Sequence, residues 1–373
     1  MPSPQLPEPD FIDRDPAAVT RDMVAAYEAA AGKTLYPAQP ERLMVDVIAY
    51  RETLLRIAIQ EAAKQNLVRF ARAPMLDYLG ELVRVARLPA RPAQCPVRVS
   101  LDAPQSASLA IPAGAGLRAK DGRAFALLEA VSVPAGALTA SGVAVAAVEG
   151  PAGNGFLPGE IIGPDGSLWP GCVAGAINTG TSSGGADIED DPRLRQRILL
   201  GPEGFAVAGP LGAYQALALG AHQDIVDAGV WSAWPGLVVV APLTASGQPS
   251  RSLLDLVARA LDSPAARPLC DQVAVVAPRR VPFEIEARIT LCAWADQAQT
   301  LLSVRSALES YAAGLRLRLG REIIPSKLIT LIGETDGVYA VELAAPAARA
   351  LKPNEYADCT GITLVFAGYG NAD

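Results

Sequence analysis

Apolar residues in the first ninety positions recur at helical intervals. Asp15-Pro16 is a typical helix start, because Asp accepts hydrogen bonds from free amides and proline fits the first turn, and Gly32 is a typical helix end. From Pro40 to about Arg72 no glycine or further proline interrupts the chain, and apolar residues return every three or four positions. The pattern predicts a short helix over 16–31 and a long helix over 40–72.

The predicted long helix carries two apolar rows. The first consists of Leu43, Val47, Tyr50, Leu54 and Ile57, and the second of Met44, Ile48, Leu55, Ile59 and Ala62. Together they are wider than the stripe that one partner helix covers. Two interpretations remain open: the rows belong to the core of a helical domain, or another subunit covers the row that contains Ile48 and Leu55.

Beyond Leu88 the pattern changes to short alternating runs broken by turn residues. Asp121-Gly122 stands between two such runs and is a strong hairpin signal. After Gly185 helical and extended patterns alternate. They predict helices over 192–200, 210–220, 251–262, 297–313 and 325–333, and strands over 225–231, 236–242, 272–278, 282–292, 337–344 and 361–367.

The expected fold class is α+β multidomain. An N-terminal helical domain over 1–90 is followed by a small β domain over 91–180, an α+β domain over 181–280 and a C-terminal α+β domain over 281–373. Strands that are adjacent in sequence favour mixed sheets over a doubly wound parallel sheet. The last boundary is placed between Pro278 and Pro282.

Composition narrows the range of partners. The formal net charge of −7, with no local basic patch, repels nucleic-acid phosphates and anionic membrane surfaces. The start, "MPSPQLPEPDFIDRD", lacks the basic and apolar regions of a secretory signal, which predicts that the chain begins in a cytoplasm. Proline and glycine interrupt the uncharged stretches 130–148 and 204–223, so membrane insertion is not expected. The five cysteines are scattered singly, and buried thiols are expected, with the odd one open to an intermolecular disulfide.

A serine hydrolase is the one enzymatic hypothesis that the sequence offers. Residues 180–184 fit G-x-S-x-G, with Ser182 as nucleophile and His222, the single histidine, as its base. That motif requires a helix directly after the serine turn, whereas Gly185, an acidic run and Pro192 follow here. No catalytic residue is therefore expected.

Metal and cofactor sites are also not expected. Counted from Asp187, the sixth and twelfth positions are Pro192 and Ile198, where a calcium-binding EF-hand loop needs glycine and glutamate. A single histidine excludes sites that need two imidazoles, and the glycine-rich segment lacks the lysine of a phosphate-binding loop.

The stretch "GGADIEDDPRLRQRI", residues 184–198, is interpreted as a structural joint. Asp191 is expected to cap a helix that opens with Pro192 and buries Leu194 and Ile198. Gly184 and Gly185 would supply backbone freedom, and Asp187 to Asp191 negative charge at the helix start. Arg193, Arg195 and Arg197 fan around that helix, so some are expected to meet acidic surfaces of a neighbouring copy. The hypothesis is a hinge with an electrostatic latch.

Several stretches together resemble the baseplate J-like wedge proteins of contractile phage tails and related injection systems. The matching stretches are "MLDYLGELVRVARLPA", "IPAGAGLRAKDGRAF", "GGADIEDDPRLRQRI" with "AGPLGAYQALALGA", "RPLCDQVAV" and "PSKLITLIGETDGVYAVEL". They occur in the family's order from about Leu76 to Val365. Val85, Pro210 and Cys270 depart from the family pattern, in which glycine, or serine or threonine, is usual.

The resemblance implies a non-catalytic building block of the baseplate, the assembly that holds the tail sheath extended and triggers its contraction. Expected partners are other copies of the chain in a ring, the sheath initiator, other wedge proteins and the central hub or spike complex. The expected location is the tail baseplate of a virion, assembled in the bacterial host cytoplasm. The resemblance supplies no catalytic, cofactor or metal residues.

Overall fold

The computed structural model describes residues 6–205, 210–262 and 272–370 and divides into two compact units. The first unit comprises Met1–Arg87 and Asp190–Leu199. The second comprises Leu88–Glu189 and Leu200–Asp373. The first unit is therefore built from two separate stretches of sequence, which no local pattern indicated.

Three helices form the first stretch of the first unit: α1 (Pro16–Ala31), α2 (Pro40–Lys64) and α3 (Met75–Glu81). The predicted bounds of α1 are confirmed. The Asp15 carboxylate accepts a hydrogen bond from the Ala17 amide at 3.1 Å, and Gly32 ends the helix with φ 65°. Sequence patterns did not predict α3.

The long helix ends at Lys64, so its predicted extension to residue 72 was wrong. The Asn66 side chain donates to the carbonyls of Ala62 and Ala63 in the last turn, and so helps to satisfy the end of the helix. The chain then turns, and Ala71 becomes fully buried. Apolar periodicity continues past Lys64 because these residues pack in a core, and periodicity alone does not distinguish a helix from packed turns.

The face of α2 that packs inside the chain is neither of the two apolar rows. Its buried residues are Val45, Ala49, Thr53 and Gln60, and the Gln60 side chain also holds the preceding segment by hydrogen bonds to Phe11 and Pro9. Both rows lie outside: the exposed side chains are Leu43, Met44, Val47, Ile48, Tyr50, Leu54, Leu55, Ile57 and Ile59. The interpretation in which the rows form this chain's own core is therefore wrong.

Residues 92–178 form a closed barrel with an added two-stranded sheet. The strands are β1 (Pro92–Leu101), β2 (Leu109–Ile111), β3 (Gly116–Ala119), β4 (Ala124–Leu127), β5 (Val131–Val133), β6 (Thr139–Glu149), β7 (Ile161–Asp165) and β8 (Val173–Asn178). Closure follows the order β1-β6-β4-β3-β7-β8, and β2 pairs with β5. A closed sheet leaves no unpaired edge. The predicted Asp121-Gly122 hairpin joins β3 to β4 and is confirmed.

The rest of the chain alternates helices and strands, as predicted. The elements are α4 (Asp191–Leu200), α5 (Leu211–Ala221), β9 (Ile225–Trp234), β10 (Leu237–Thr244), α6 (Arg251–Leu261), β11 (Gln272–Val275), β12 (Arg279–Cys292), α7 (Gln297–Arg316), α8 (Pro325–Gly333), β13 (Val338–Ala345) and β14 (Glu355–Gly370). The sheet orders are β11-β10-β9 and β13-β12-β14. Each combines one parallel and one antiparallel pairing, which confirms the α+β class with mixed sheets.

Strand bounds near the predicted domain boundary differ from the expectation. Strand β12 begins at Arg279 and continues through Pro282, because it pairs in parallel with β14 from its first residue. Strand β14 begins six residues before the predicted start at 361, since its first part contains the buried polar residues Glu355 and Asp358, which hide its strand pattern. The division into four domains stays a prediction.

The described cysteines, Cys95, Cys172, Cys292 and Cys359, are all free thiols, and Cys270 lies outside the described residues. Burial raises the pKa of the Cys95 thiol to about 11, which keeps it protonated. Within the described ranges, no helix is both long enough and apolar enough to cross a membrane.

Candidate functional site

The segment 184–199 belongs to both units. Residues up to Glu189 lie in the second unit, and Asp190–Leu199 lie in the first. The chain passes between the units at three peptide bonds, after Arg87, after Glu189 and after Leu199.

The two glycines of the segment are held differently. Gly184 has φ +83°, a left-handed conformation that favours glycine, and the space beside it is open. A Cβ on Gly185 would collide with the Gly150 carbonyl oxygen. The Gly185 amide donates to Asn154 Oδ1 at 2.8 Å, and Asn154 Nδ2 donates to the Gly185 carbonyl at 2.7 Å. Gly185 is therefore anchored within the second unit, and the passage to the first unit lies further on, after Glu189.

Glu189 binds Leu88, and each of these two residues of the second unit is adjacent to a point where the chain crosses to the first unit. It is 2% exposed, and its Oε2 accepts a hydrogen bond from the Leu88 amide at 3.0 Å. Its own amide donates to the Leu88 carbonyl, also at 3.0 Å. The chain enters the second unit at Leu88 and leaves it at Glu189. The two hydrogen bonds therefore hold these two connecting segments side by side.

Ser182 and His222 do not form a catalytic pair. The Ser182 hydroxyl is 1% exposed, donates to the Gly153 carbonyl at 2.7 Å and accepts from the Phe156 amide at 3.0 Å. His222 Nδ1 accepts from the Asp224 amide, so Nε2 carries the proton and donates to the Gly184 carbonyl at 3.1 Å. Both side chains satisfy main-chain groups in the barrel and the neighbouring loop.

Asp190, and not the expected Asp191, caps helix α4. Its Oδ1 accepts a hydrogen bond from the Arg193 amide at 2.9 Å, and its carbonyl accepts from Leu194. The sequence prediction was one residue late because both positions carry the same capping side chain and Pro192 fits the first turn in either register. The Asp191 carboxylate therefore binds other groups of the first unit.

Arg87 joins Asp191 to Asp77. Its guanidinium donates to both carboxylate oxygens of Asp77, at 2.8 and 2.9 Å, and to Asp191 Oδ1 at 2.7 Å. The other Asp191 oxygen accepts from the Ala73 amide at 3.1 Å. One arginine thus links α3, the end of the unit's first stretch and the start of α4. Sequence analysis missed Arg87 and Asp77, since they are distant from Asp191 in the chain and no local pattern connects them.

These contacts shift the pKa values of the three groups. Hydrogen bonds from Arg87 lower the pKa of Asp77. Burial raises the pKa of Asp191, but hydrogen bonds from Arg87 and the Ala73 amide outweigh burial and hold the pKa below its usual range. The Arg87 pKa is raised, chiefly by Asp77. All three groups are therefore charged near neutral pH.

Two of the three arginines of α4 bind main-chain carbonyls inside the first unit. Arg195 donates to Val68 and Ala71, at 2.8 and 2.7 Å. Arg197 donates to Ala86 at 3.1 Å. These bonds satisfy carbonyls in the irregular segments before and after α3. Guanidinium donors of Arg195 and Arg197 are thus used inside the unit, whereas the sequence predicted that some of these arginines bind acidic surfaces of a neighbouring copy.

Helix α4 also supplies half of a small apolar core. Leu194 and Ile198 are 0% and 3% exposed, as predicted, and pack with Ala71 and Leu76. Ile198 reaches Gly80, where an added Cβ would approach its Cδ1 to 3.3 Å. The segment is thus an insertion that completes the first unit. Among the described residues, no three acidic, cysteine or histidine side chains come together as a metal-binding group.

Comparison with known proteins identifies the family. Models of the baseplate J-like N-terminal, central and C-terminal domains match residues 40–94, 206–277 and 283–365, which together are more than half of the chain. The chain belongs to the baseplate J-like family. The resemblance inferred from the sequence is therefore confirmed. Most of the barrel and the whole 184–199 segment lie between the matched ranges.

Two individual proteins are similar to this baseplate J-like chain. Baseplate protein J of Escherichia phage P2 is 33% identical over 186 residues, which are 49% of this chain and 61% of the phage protein. The chain thus spans less than two thirds of that relative. A chain of the cryo-EM structure of the anti-feeding prophage baseplate, 6-fold symmetrised, aligns with 92% of this chain and 90% of its own length, at 13% identity and a TM-score of 0.43. The family assignment rests on the domain matches.

Ser182→Ala is expected to destabilise the second unit without removing any hydrolytic activity. The substitution leaves the Gly153 carbonyl and the Phe156 amide without their buried partner, which costs about 1–3 kcal/mol. Urea denaturation measures the loss, and esterase assays of the parent, Ser182→Ala and His222→Ala proteins measure activity. An esterase activity in the parent that both substitutions abolish would contradict the structural assignment.

Arg87→Met is expected to destabilise the first unit by about 2 kcal/mol, less than loss of a fully buried pair because both carboxylates are partly exposed to solvent. The lowered pKa values of Asp77 and Asp191 stabilise the parent above about pH 4, and this stability is lost as the pH falls through them. Urea midpoints measured between acidic and neutral pH test both effects. Equal pH dependence in parent and variant would show that Arg87 does not set these pKa values.

Proposed function

We propose that this baseplate J-like chain is a structural wedge subunit of a contractile-tail baseplate. The observation that carries the proposal is the match to all three domain models of the family. Copies of the chain join into a ring around the central hub or spike, and contact the sheath initiator and other wedge proteins. The chain is assembled in the host cytoplasm, resides in the tail baseplate and helps to trigger sheath contraction.

The outer face of α2 supports an assembly role. Ile48 and Leu55 are 55% and 59% exposed, and Met44 and Val47 are exposed in the same turns. Complete burial of such a side chain contributes about 1.5–3 kcal/mol, so a helix that leaves a whole row in water favours association. We therefore assign the row containing Ile48 and Leu55 to a wedge partner that completes a helical bundle.

We also propose a hinge in this segment, centred after Glu189 and not at Gly184 and Gly185. Gly184 supplies a permissive backbone, while Gly185 is anchored, and the connection between the units begins after Glu189. The exposed carboxylates of Asp187 and Asp190 and the arginines of α4 would exchange partners when the baseplate changes shape. Arg193, Arg195 and Arg197 remain the proposed arginines of the latch, and Arg195 and Arg197 also bind carbonyls of their own unit.

Ile48→Glu with Leu55→Glu is expected to leave the monomer folded and to block assembly of complete tails. Both side chains lie in water in the isolated chain, so the charges meet no core, whereas a partner would have to bury them unpaired. The measurement is complementation of a particle-producing strain that lacks the chain, with complete tails counted by electron microscopy and folding checked by circular dichroism.

The matched control is Leu138→Glu with Leu168→Glu, which charges two similarly exposed leucines in the barrel region. We expect this control to restore complete tails. Complete tails in the strain without any copy of the chain would refute the baseplate function. Full restoration by the Ile48 and Leu55 variant would refute only the assignment of that row to a partner. Unfolding of the variant would contradict the exposure of both side chains in the isolated chain.

A further inference from the structure

Two arginines line a pocket between the start of the barrel and helix α6. The pocket has a volume of about 360 Å³, and all of its lining residues belong to the second unit. The barrel side contributes Arg91 and residues 183–184, and α6 contributes Ser252, Leu256 and Arg259. No acidic side chain is among the lining residues. The pocket is therefore positively charged, in a chain whose formal net charge is −7.

Neither arginine has a partner for its charge within residues 6–205, 210–262 and 272–370. No carboxylate in these ranges forms an ion pair with the Arg91 or Arg259 guanidinium, and neither guanidinium forms a hydrogen bond there. Asp255 lies one turn before Arg259 in α6 but pairs with Arg251 at 3.3 Å. Arg91 is half-buried, so its charge loses hydration without gaining a partner. An anion in the pocket would offset this cost.

The main chain on the barrel side of the pocket is already fixed. The Arg91 amide donates to the Ala186 carbonyl at 2.7 Å, and the Ala186 amide donates to the Arg91 carbonyl at 2.9 Å. Gln94 and Ser183 exchange the same two bonds, at 2.8 and 2.9 Å. This side of the pocket is thus formed before a ligand arrives, which lowers the entropy cost of binding. Because these main-chain groups are used, recognition depends on side chains.

Further side-chain donors line the pocket beside the arginines. They belong to Gln94, Ser183 and Ser252. Within the described part of the chain, the Gln94 amide and the Ser183 hydroxyl form no side-chain hydrogen bond. Leu253 and Leu256 add apolar surface next to these donors. Guanidinium forks and neutral donors beside apolar surface match a carboxylate on a short aliphatic stem, which is the side chain of aspartate or glutamate.

The size and lining of the pocket favour a short peptide segment over other anions. Its volume is at the lower end of the range of about 300–1,000 Å³ that is usual for ligand pockets, so it has room for a few side chains. No aromatic residue lines it, so a nucleotide base would find no stacking surface. Gln94, Ser252 and Arg259 are exposed, which leaves the pocket open to a ligand larger than its own volume. An acidic segment of a protein meets all three conditions.

We propose that this pocket binds an acidic segment of a different protein, with one carboxylate on Arg91 and a second on Arg259. The acidic run of a second copy, residues 187–191, is a poor occupant because Asp190 and Asp191 already bind groups of the first unit. The contact belongs to the second unit, whereas the apolar rows of α2 belong to the first. Its charge complementarity favours acidic partners over neutral or basic ones.

This inference rests on the proposed function in one respect, since an assembly subunit requires contacts with other proteins. Its physical basis is independent of the particle, so the test is made in solution on the full-length chain. The probe is a rhodamine-labelled peptide with the sequence Gly-Glu-Leu-Glu-Gly, whose two glutamates lie on one side of an extended segment. The comparison peptide carries glutamine in place of both glutamates.

Fluorescence anisotropy is expected to show that the acidic peptide binds about tenfold or more tightly than the glutamine peptide, because only the carboxylates form charge-assisted hydrogen bonds. Arg91→Gln and Arg259→Gln are each expected to weaken binding of the acidic peptide by about tenfold or more. Both substitutions remove side chains without partners in the described ranges, so circular dichroism should show an intact fold. Arg98→Gln is the matched control, since Arg98 is exposed on the same strand outside the pocket, and it should leave the affinity unchanged.

Three results would overturn the inference: no binding of the acidic peptide at millimolar concentration, equal binding of the two peptides, or an equal loss of affinity in the Arg98 variant. Inorganic phosphate that binds as tightly through the same two arginines would assign the pocket to a small oxyanion instead. Self-association that both arginine variants abolish would assign it to a second copy. Normal tails with a chain that does not bind the peptide would leave the baseplate function intact, and peptide binding by a chain that no tail contains would do the reverse.

Discussion

The core of the first unit depends on helix α4, which follows the barrel in the sequence. Helix α4 brings Leu194 and Ile198 into contact with Leu76 and Ala71, and those side chains form a small core. Burial of two such aliphatic side chains contributes about 3–6 kcal/mol, which is a large share of the stability of a small unit. Arg87 connects the inserted helix to the first stretch, because the guanidinium that binds both carboxylate oxygens of Asp77 also donates to Asp191.

This arrangement has a consequence for assembly. The inserted helix stabilises the region around α3, so α2 does not need its apolar rows to hold that part of the fold together. The rows containing Ile48 and Leu55 remain in water and are available to another chain. In the second unit, two hydrogen bonds between Leu88 and Glu189 hold the segments that lead to the first unit. The fold of the first unit is therefore held by contacts that do not involve the exposed rows of α2.

Much of the fold could be predicted from local patterns, and the main interactions could not. The capped helix α1, the Asp121-Gly122 hairpin and the bounds of α8 follow from signals contained in a few residues. The closure of the barrel, the membership of α4 in the first unit and the role of Arg87 depend on pairs far apart in the chain. The cap at Asp190 was missed because a run of acidic residues offers the same chemistry at several positions. Within the 184–198 segment, Asp191, Arg195 and Arg197 bind groups of the first unit that are distant in sequence, and no local pattern indicated these contacts.

Hydrogen exchange of the Leu194→Ala protein tests the central claim most directly. Because Leu194 packs in the core of the first unit, the substitution should cost about 2–5 kcal/mol there. We expect faster amide exchange in α4 and also in α3, which is distant in sequence, with unchanged exchange in barrel strands such as β1 and β6. Faster exchange confined to α4, or spread equally into the barrel, would contradict the account in which α4 completes the first unit.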